Sequence, residues 1–261
     1  MKIKRTLDDL GNHAFINHCF SDGIKVTKEL GDLKPFSVLP SYKRKPFEEE
    51  YYQLAVSSSA ATLLNACQQL TDSIQYLSSF SPSPKMKRHG ITRQRHIQYT
   101  IENFIIRSQS TYDKLLVLVD AVFHLGNDDE LINHQLIARN VHVRMTPVES
   151  QLRAIRKTMA KYQFVRNEII HHGSFQEDDL RKLQGFSIIR ESDSDGEFSI
   201  VFKSMTKNYL INKTVEYSEY VDFLFSGLYE IFIALDKVYL ENRHKFIPNK
   251  ALHADGPSAR R

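Results

Sequence analysis

No run of apolar residues in this chain approaches the roughly 18 that a membrane-spanning helix needs, which excludes a transmembrane segment of that kind. The opening residues, MKIKRTLDDLGNHAF, lack the apolar stretch of a secretory signal and carry Asp8 and Asp9 where a signal would be apolar. Cysteine is scarce. Cys19 and Cys67 are the only two, and neither stands at a metal-ligand or redox spacing. Reduced thiols in a cytoplasmic protein are expected. Neither GxxxxGK(S/T) nor GxGxxG occurs, so phosphate-cradling loops of those types are absent, and no internal repeat is visible. His124, His134 and His142 are spaced widely and irregularly, with no cysteine or paired acid in ligand register. No metal or other cofactor is expected. Ser57 to Ser59 fall in the middle of a helical pattern and lack the strained turn of a hydrolase nucleophile.

What is present is ordinary for a soluble globular protein. The 261 residues are 41% apolar and 25% charged, enough for one large domain or two small ones. The net charge of +4 is mild, but it is unevenly spread. SPSPKMKRHGITRQRH, residues 81–96, holds five Lys or Arg and no acid. It reads either as a solvated, proline-containing linker or as a phosphate-contacting loop. In the second reading Lys85, Lys87, Arg88, Arg93 and Arg95 would meet the backbone of RNA.

Helical spacing dominates from Pro46 onward. Before it, breakers at Gly31, Pro35, Pro40 and Pro46 predict short helical or irregular pieces over residues 1–46. A long helix then follows to about Phe80, with Leu54, Ala61, Leu64, Leu70, Ile74 and Leu77 as its apolar positions. A second runs from Thr92 to about Leu125, with a stripe from Ile97 through Ile101, Phe104, Ile105, Ser108, Tyr112, Leu115, Leu116, Val119 and Val122 to Phe123. Gly126-Asn127 stops it. Shorter helical material spans Asp129 to Arg139. The next helix begins near Pro147, with Glu149 at its positive end, and closes at Gly173. GFSIIRESDSDGEFSIVFKS, residues 185–204, sets two Ile/Val/Phe-rich runs around Asp195-Gly196 and predicts a β-hairpin. Thr214 to Asn242 is helical again, with Tyr217, Tyr220, Phe223, Phe225, Tyr229 and Phe232 read as core or dimer interface. Residues 247–261 lack a core-forming pattern and read as a disordered tail. The expected fold is therefore an all-α helical bundle with one inserted hairpin.

YQFVRNEIIHHGSF, residues 162–175, is the one stretch whose residue types point to chemistry. On a helix, Leu152, Ile155, Met159, Tyr162, Val165, Ile169 and Ile170 cover an arc of roughly 140°, and Arg166 falls inside it. Asn167 and His171 share one flank, while His172 projects from the other, about 100° away. A guanidinium on a buried face needs a partner. Asp113 or Glu102, from the polar stripe of the preceding long helix, is the expected one. Two readings of Arg166 stay open: a salt-bridged residue with its stem on the core, or a ligand-binding cation. His171 and His172 can also be read as cations favoured by the helix dipole.

Arg166-Asn167-x-x-x-His171 at a helix end resembles the R-x(4–6)-H signature of the HEPN superfamily, and His172 fits its loose spacing as well. The helix YTIENFIIRSQSTYDKLLVLVDAVFHLG is similar to the helix bearing a Tyr-Asp pair that precedes the motif in a bacterial HEPN branch. The likeness covers roughly residues 50–245. It implies a HEPN-like domain over residues 47–246 acting as a metal-independent ribonuclease, a hydrolase of toxin, phage-defence or RNA-processing type. It further implies a homodimer in which both motif helices face one cleft, RNA as substrate and, for a toxin, a protein antitoxin as partner. Arg166 and His171 would act on the phosphate and the ribose, with Asn167 orienting one of them and Asp113, Glu102 and His172 in support. The alternative is a silent HEPN-like module that binds RNA, a nucleotide or a protein without cleaving.

Overall fold

The computed structural model describes residues 4–32, 41–42, 44–79, 83–175, 177–191 and 197–245. Two N-terminal helices, α1 (Leu7–Gly11) and α2 (Ala14–Leu30), lead into a two-residue antiparallel ladder of β1 (Gly31–Asp32) with β2 (Ser41–Tyr42). Four long helices follow: α3 (Glu48–Ser79), α5 (Arg93–Phe123), α8 (Val148–His172) and α10 (Glu197–Lys245). Between them lie α4 (Pro84–Arg88), α6 (His134–Arg139), α7 (Val141–Arg144) and α9 (Asp178–Glu191). Among the described residues no helix is long and apolar enough to cross a membrane.

Each helix has a local cause. Thr6 caps α1 in a reciprocal box with Asp9. Asn133 and Asn140 cap α6 and α7 with their side-chain oxygens. Three glutamates open α3 at the positive end of its dipole. Gly126 and Gly173, both at positive φ, follow α5 and α8.

The chain divides into two compact units whose boundaries fall inside the four long helices, not at linkers. The first comprises residues 1–65, 112–155 and 225–261. Phe15, Leu63, Leu118, Val122, Leu152, Phe232 and Tyr239 are fully buried there. Tyr52 donates to the Val122 carbonyl at 2.9 Å, and Tyr239 donates to Asp22 at 2.8 Å, a carboxylate that Arg243 also meets at 3.1 Å. Arg44 holds buried Glu50 through two hydrogen bonds of 2.7 Å. Gly23 admits Ser57 so closely that a Cβ on it would sit 2.6 Å from the Ser57 Cβ. Cys19, in this unit, is a buried free thiol, pushed up well above its ordinary value by burial.

The second unit comprises residues 66–111 and 156–224. Its centre is aromatic: Phe104 stacks on Tyr217 with centroids 3.9 Å apart, and Tyr162 meets Tyr217 and Tyr220 edge-on. Cys67 is buried and free here, its thiol pushed up to about 12. Beside the rings sits a charged junction. Glu216 accepts from the Tyr162 hydroxyl and Lys161 at 2.9 Å each, and from Lys213 at 3.0 Å. Lys213 also meets Glu177 at 2.7 Å, and Tyr209 donates to Glu177 at 2.6 Å. Burial pushes the Glu216 carboxyl up, but bonds from Lys161, Lys213 and Tyr162 and the Lys213 charge together hold it down at about 2.

The hairpin expected at about 185–204 is a correction. α9 carries one flank to Glu191 and α10 begins at Glu197; the turn cluster between them lies outside the described residues. Phe202, Thr206, Tyr209 and Leu210 are buried at i, i+4, i+7 and i+8, while Ile200 is 72% and Val201 50% exposed. A run of β-branched residues favours strand locally, but the continuing 3.6-residue stripe decides the outcome. The α3 stripe also shifts: Val56, Ala60, Leu63, Cys67, Leu70 and Leu77 are buried, and Ala61 faces out. α2, at 17 residues, is longer than the short pieces expected before Pro46. The tail from residue 246 lies outside the described residues.

Two measurements check these contacts. Gly23→Ala should lose about 1–3 kcal/mol in urea unfolding through overpacking, whereas Gly185→Ala, on an open face of α9, should gain roughly 0.5–1 kcal/mol. Glu216→Gln should lose about 2 kcal/mol at pH 7. Because the folded carboxyl is depressed from 4.5 to about 2, that contribution is complete above about 4.5 and disappears as pH falls through 2. The gap between wild type and Glu216→Gln should therefore narrow from pH 5 to pH 2.

Candidate functional site

α8 carries the motif, and its burial pattern sets which residues face outward. Leu152, Ile155, Met159, Tyr162 and Ile169 are buried, whereas Ile170 is 47% exposed, so the apolar arc is narrower than expected. Arg166 lies on the edge of that arc and is half-buried. Its Nη1 donates to the Asn167 side-chain oxygen at 3.1 Å. Its Nε is buried and has no hydrogen-bond partner among the described residues. Asn167 and His171 are both exposed on the neighbouring flank, one turn apart. The structure thus joins Arg166 to Asn167 and places His171 one turn beyond Asn167, near the end of the same helix. His172 is the last residue of α8, and its side chain lies outside the described residues.

Neither carboxylate expected to hold Arg166 does so. Glu102 accepts instead from the backbone N–H of Phe175 at 2.7 Å and from Gln98 at 3.0 Å. The turn beyond Gly173 presents an amide that no helix carbonyl takes, and a carboxylate is a strong acceptor for it. Glu102 therefore supports the end of α8 and not its arginine. Asp113 belongs to the first unit, where it lines a recess of about 260 Å³ with Ser58, Ser59 and Thr62.

The basic stretch is in part helical, as α4, and in part a turn through Gly90 at φ +70°. Lys85, Arg88, Arg93 and Arg95 are exposed in the same unit as Arg166. Arg95 is steadied by a 3.1 Å bond to the Gly90 carbonyl. The Lys87 side chain lies outside the described residues. Arg93 and Arg95 precede Glu102 on α5 by seven to nine residues, about 10–14 Å along the axis. The start of α5 and the end of α8 are thereby tied to one helix through the Glu102–Phe175 bond.

Of the three scattered histidines, His134 meets the Tyr112 hydroxyl at 2.5 Å, His142 is exposed on α7, and His124 has positive φ after α5. Among the described residues no cluster of three or more His, Cys, Asp or Glu could hold a metal ion.

Sequence reasoning missed two features. One is Phe164, 72% exposed and on the same flank of α8 as Asn167 and His171; its i, i+3, i+7 spacing with them was the signal. The other is the junction of Lys161, Tyr162, Glu177, Lys213 and Glu216 that seats α8. Tyr209, Lys213 and Glu216 recur at i, i+4 and i+7 within an apolar helix, which marks a polar seam. No curated protein and no solved structure matches the chain. The family described as Cthe2314-like HEPN matches residues 52–232, from α3 through most of α10. With more than half of its length inside that match, the chain belongs to the HEPN family.

Proposed function

We propose that this protein is a metal-independent endoribonuclease that cleaves RNA by attack of the ribose 2′-hydroxyl, at a site composed by two copies of the α8 end. The observation that carries the reading is the grouping of a half-buried guanidinium, an amide bonded to it at 3.1 Å and an exposed imidazole on one helix end. Cleavage without a metal needs a base for the 2′-hydroxyl, an acid for the departing 5′-oxygen and a cation for the charge on phosphorus. Imidazole serves either proton-transfer role near neutral pH. In the reaction one histidine removes the 2′ proton, the 2′-oxygen bonds to phosphorus, and the phosphorus–5′-oxygen bond breaks as a second histidine protonates the leaving oxygen. The products are a 2′,3′-cyclic phosphate and a 5′-hydroxyl.

Arg166 is the residue for the phosphoryl oxygens, because its fork has donors left after the bond to Asn167. Asn167 holds that fork in place. One copy of His171 supplies one imidazole, and the second copy supplies the other, which is the chemical reason for a homodimer. Lys85, Arg88, Arg93 and Arg95, exposed in the same unit, would track the phosphates of a strand leaving such a cleft. A toxin, phage-defence or RNA-processing setting fits this chemistry equally.

Purified protein incubated with mixed cellular RNA in EDTA should yield fragments ending in 2′,3′-cyclic phosphate. Arg166→Ala and His171→Ala should each lower the rate by roughly 10²–10⁴-fold, with circular dichroism and sedimentation unchanged. Intact RNA at high protein concentration would overturn the reading. Salt-sensitive binding without cleavage would leave a non-catalytic RNA-binding module.

A further inference from the structure

A cavity of about 370 Å³ opens on α10, in the second unit. Its floor is aliphatic: Leu210, Ile211 and Val215. Its rim carries Arg93, Lys203 and Lys207, with the hydroxyls of Ser78 and Thr214 between them, and among the described residues no carboxylate lines it. The three cations have no ion-pair partner among the described residues. On α10 the lining residues occupy one sector of the helix, centred roughly 140° from Tyr209, Lys213 and Glu216, which point to the charged junction. The cavity is therefore separate from the α8 end. It shares Arg93 with the basic stretch proposed to track RNA phosphates and does not otherwise rest on the ribonuclease reading.

The composition of the wall selects its ligand. Lys203 and Lys207 are one turn apart on one face, an arrangement that costs stability until an anion sits between them. Three cations around one opening exceed what a single carboxylate neutralises and suit a phosphate or pyrophosphate group. Among the described residues no aromatic ring stands in the wall to stack on a base, and no side-chain amide stands there to read one. The floor matches an aliphatic body, and the volume is that of a small-molecule site. A second copy of this chain is disfavoured, since two-fold packing would set like charges against each other. We infer that this cavity binds a single-chain aliphatic phosphate, with its head between Arg93, Lys203 and Lys207 and its chain on Leu210, Ile211 and Val215.

The probe is dodecyl phosphate below its micelle concentration, titrated calorimetrically into the full-length chain. One saturable site is expected, with inorganic phosphate and dodecanol each binding at least about tenfold more weakly. Lys203→Ala with Lys207→Ala should weaken binding at least about tenfold. Ile211→Glu should do the same by placing a charge on the floor. All three positions are exposed, so the variants should keep the wild-type circular dichroism. No saturable binding, binding unchanged in both variants, or tighter binding of adenosine monophosphate than of dodecyl phosphate would each overturn the assignment.

Discussion

The end of α8 depends on the carboxylate of Glu216. That single group on α10 takes bonds from consecutive residues of α8, Lys161 and Tyr162, and from Lys213 one turn before it on its own helix. Lys213 passes the connection to Glu177, which lies after α8 has ended. The segment between those two anchors holds Arg166, Asn167 and His171, and Glu102 grips it a third time through Phe175. With Tyr162 turned inward and held, the helical screw fixes the direction of every later side chain on α8. Arg166 lands on the edge of the core, and Asn167 and His171 land outside it.

Such a junction would be weak in water. Here it borders the Phe104–Tyr217 stack and the edges of Tyr162 and Tyr220. Apolar rings beside charges lower the local dielectric, which strengthens satisfied bonds and penalises a missing one. Lys213 shows the balance: burial disfavours its charge, yet bonds to Glu177 and Glu216 raise its pKa above the ordinary lysine range. The cation stays charged because both neighbours are anions. The network is thus a registry device between α8 and α10 more than a source of raw stability.

Much of this was legible in the amino-acid sequence. The α5 stripe, Ile97 to Val122, is buried as its spacing predicts, and α8 ends before Gly173 at positive φ. The pairing of Asn167 with His171 was legible because residues four apart share one flank of a helix, and Arg166 was legible as the cation on the adjoining edge. Three things were not. The hairpin was misread because a short window at Ile200-Val201 weighs β-branching and cannot see the stripe that Phe202 and Thr206 continue. The partner of Arg166 was misassigned because angular placement on two helices says which acids could approach, not which backbone amide competes for them; Glu102 went to Phe175. The Glu216 junction joins residues up to 55 positions apart (Lys161 to Glu216), and no local pattern names such pairs.

Arg166 is left with an arrangement that burial alone does not favour. A guanidinium has five donors; one is bonded to Asn167, and the buried Nε bonds to nothing among the described residues. The carbonyl end of a helix draws cations, which makes the position tolerable for Arg166 and His171 together. Tolerance is not satisfaction, however. A half-buried cation with open donors raises the free energy of the unliganded protein, and an anion that reaches it recovers that energy on binding. A carboxylate from within the chain would have recovered it permanently, and two stood on α5 at plausible angles. Neither is used. Among the described residues the guanidinium has no carboxylate partner, and its one printed bond, to Asn167, leaves donors for an anion from outside the chain.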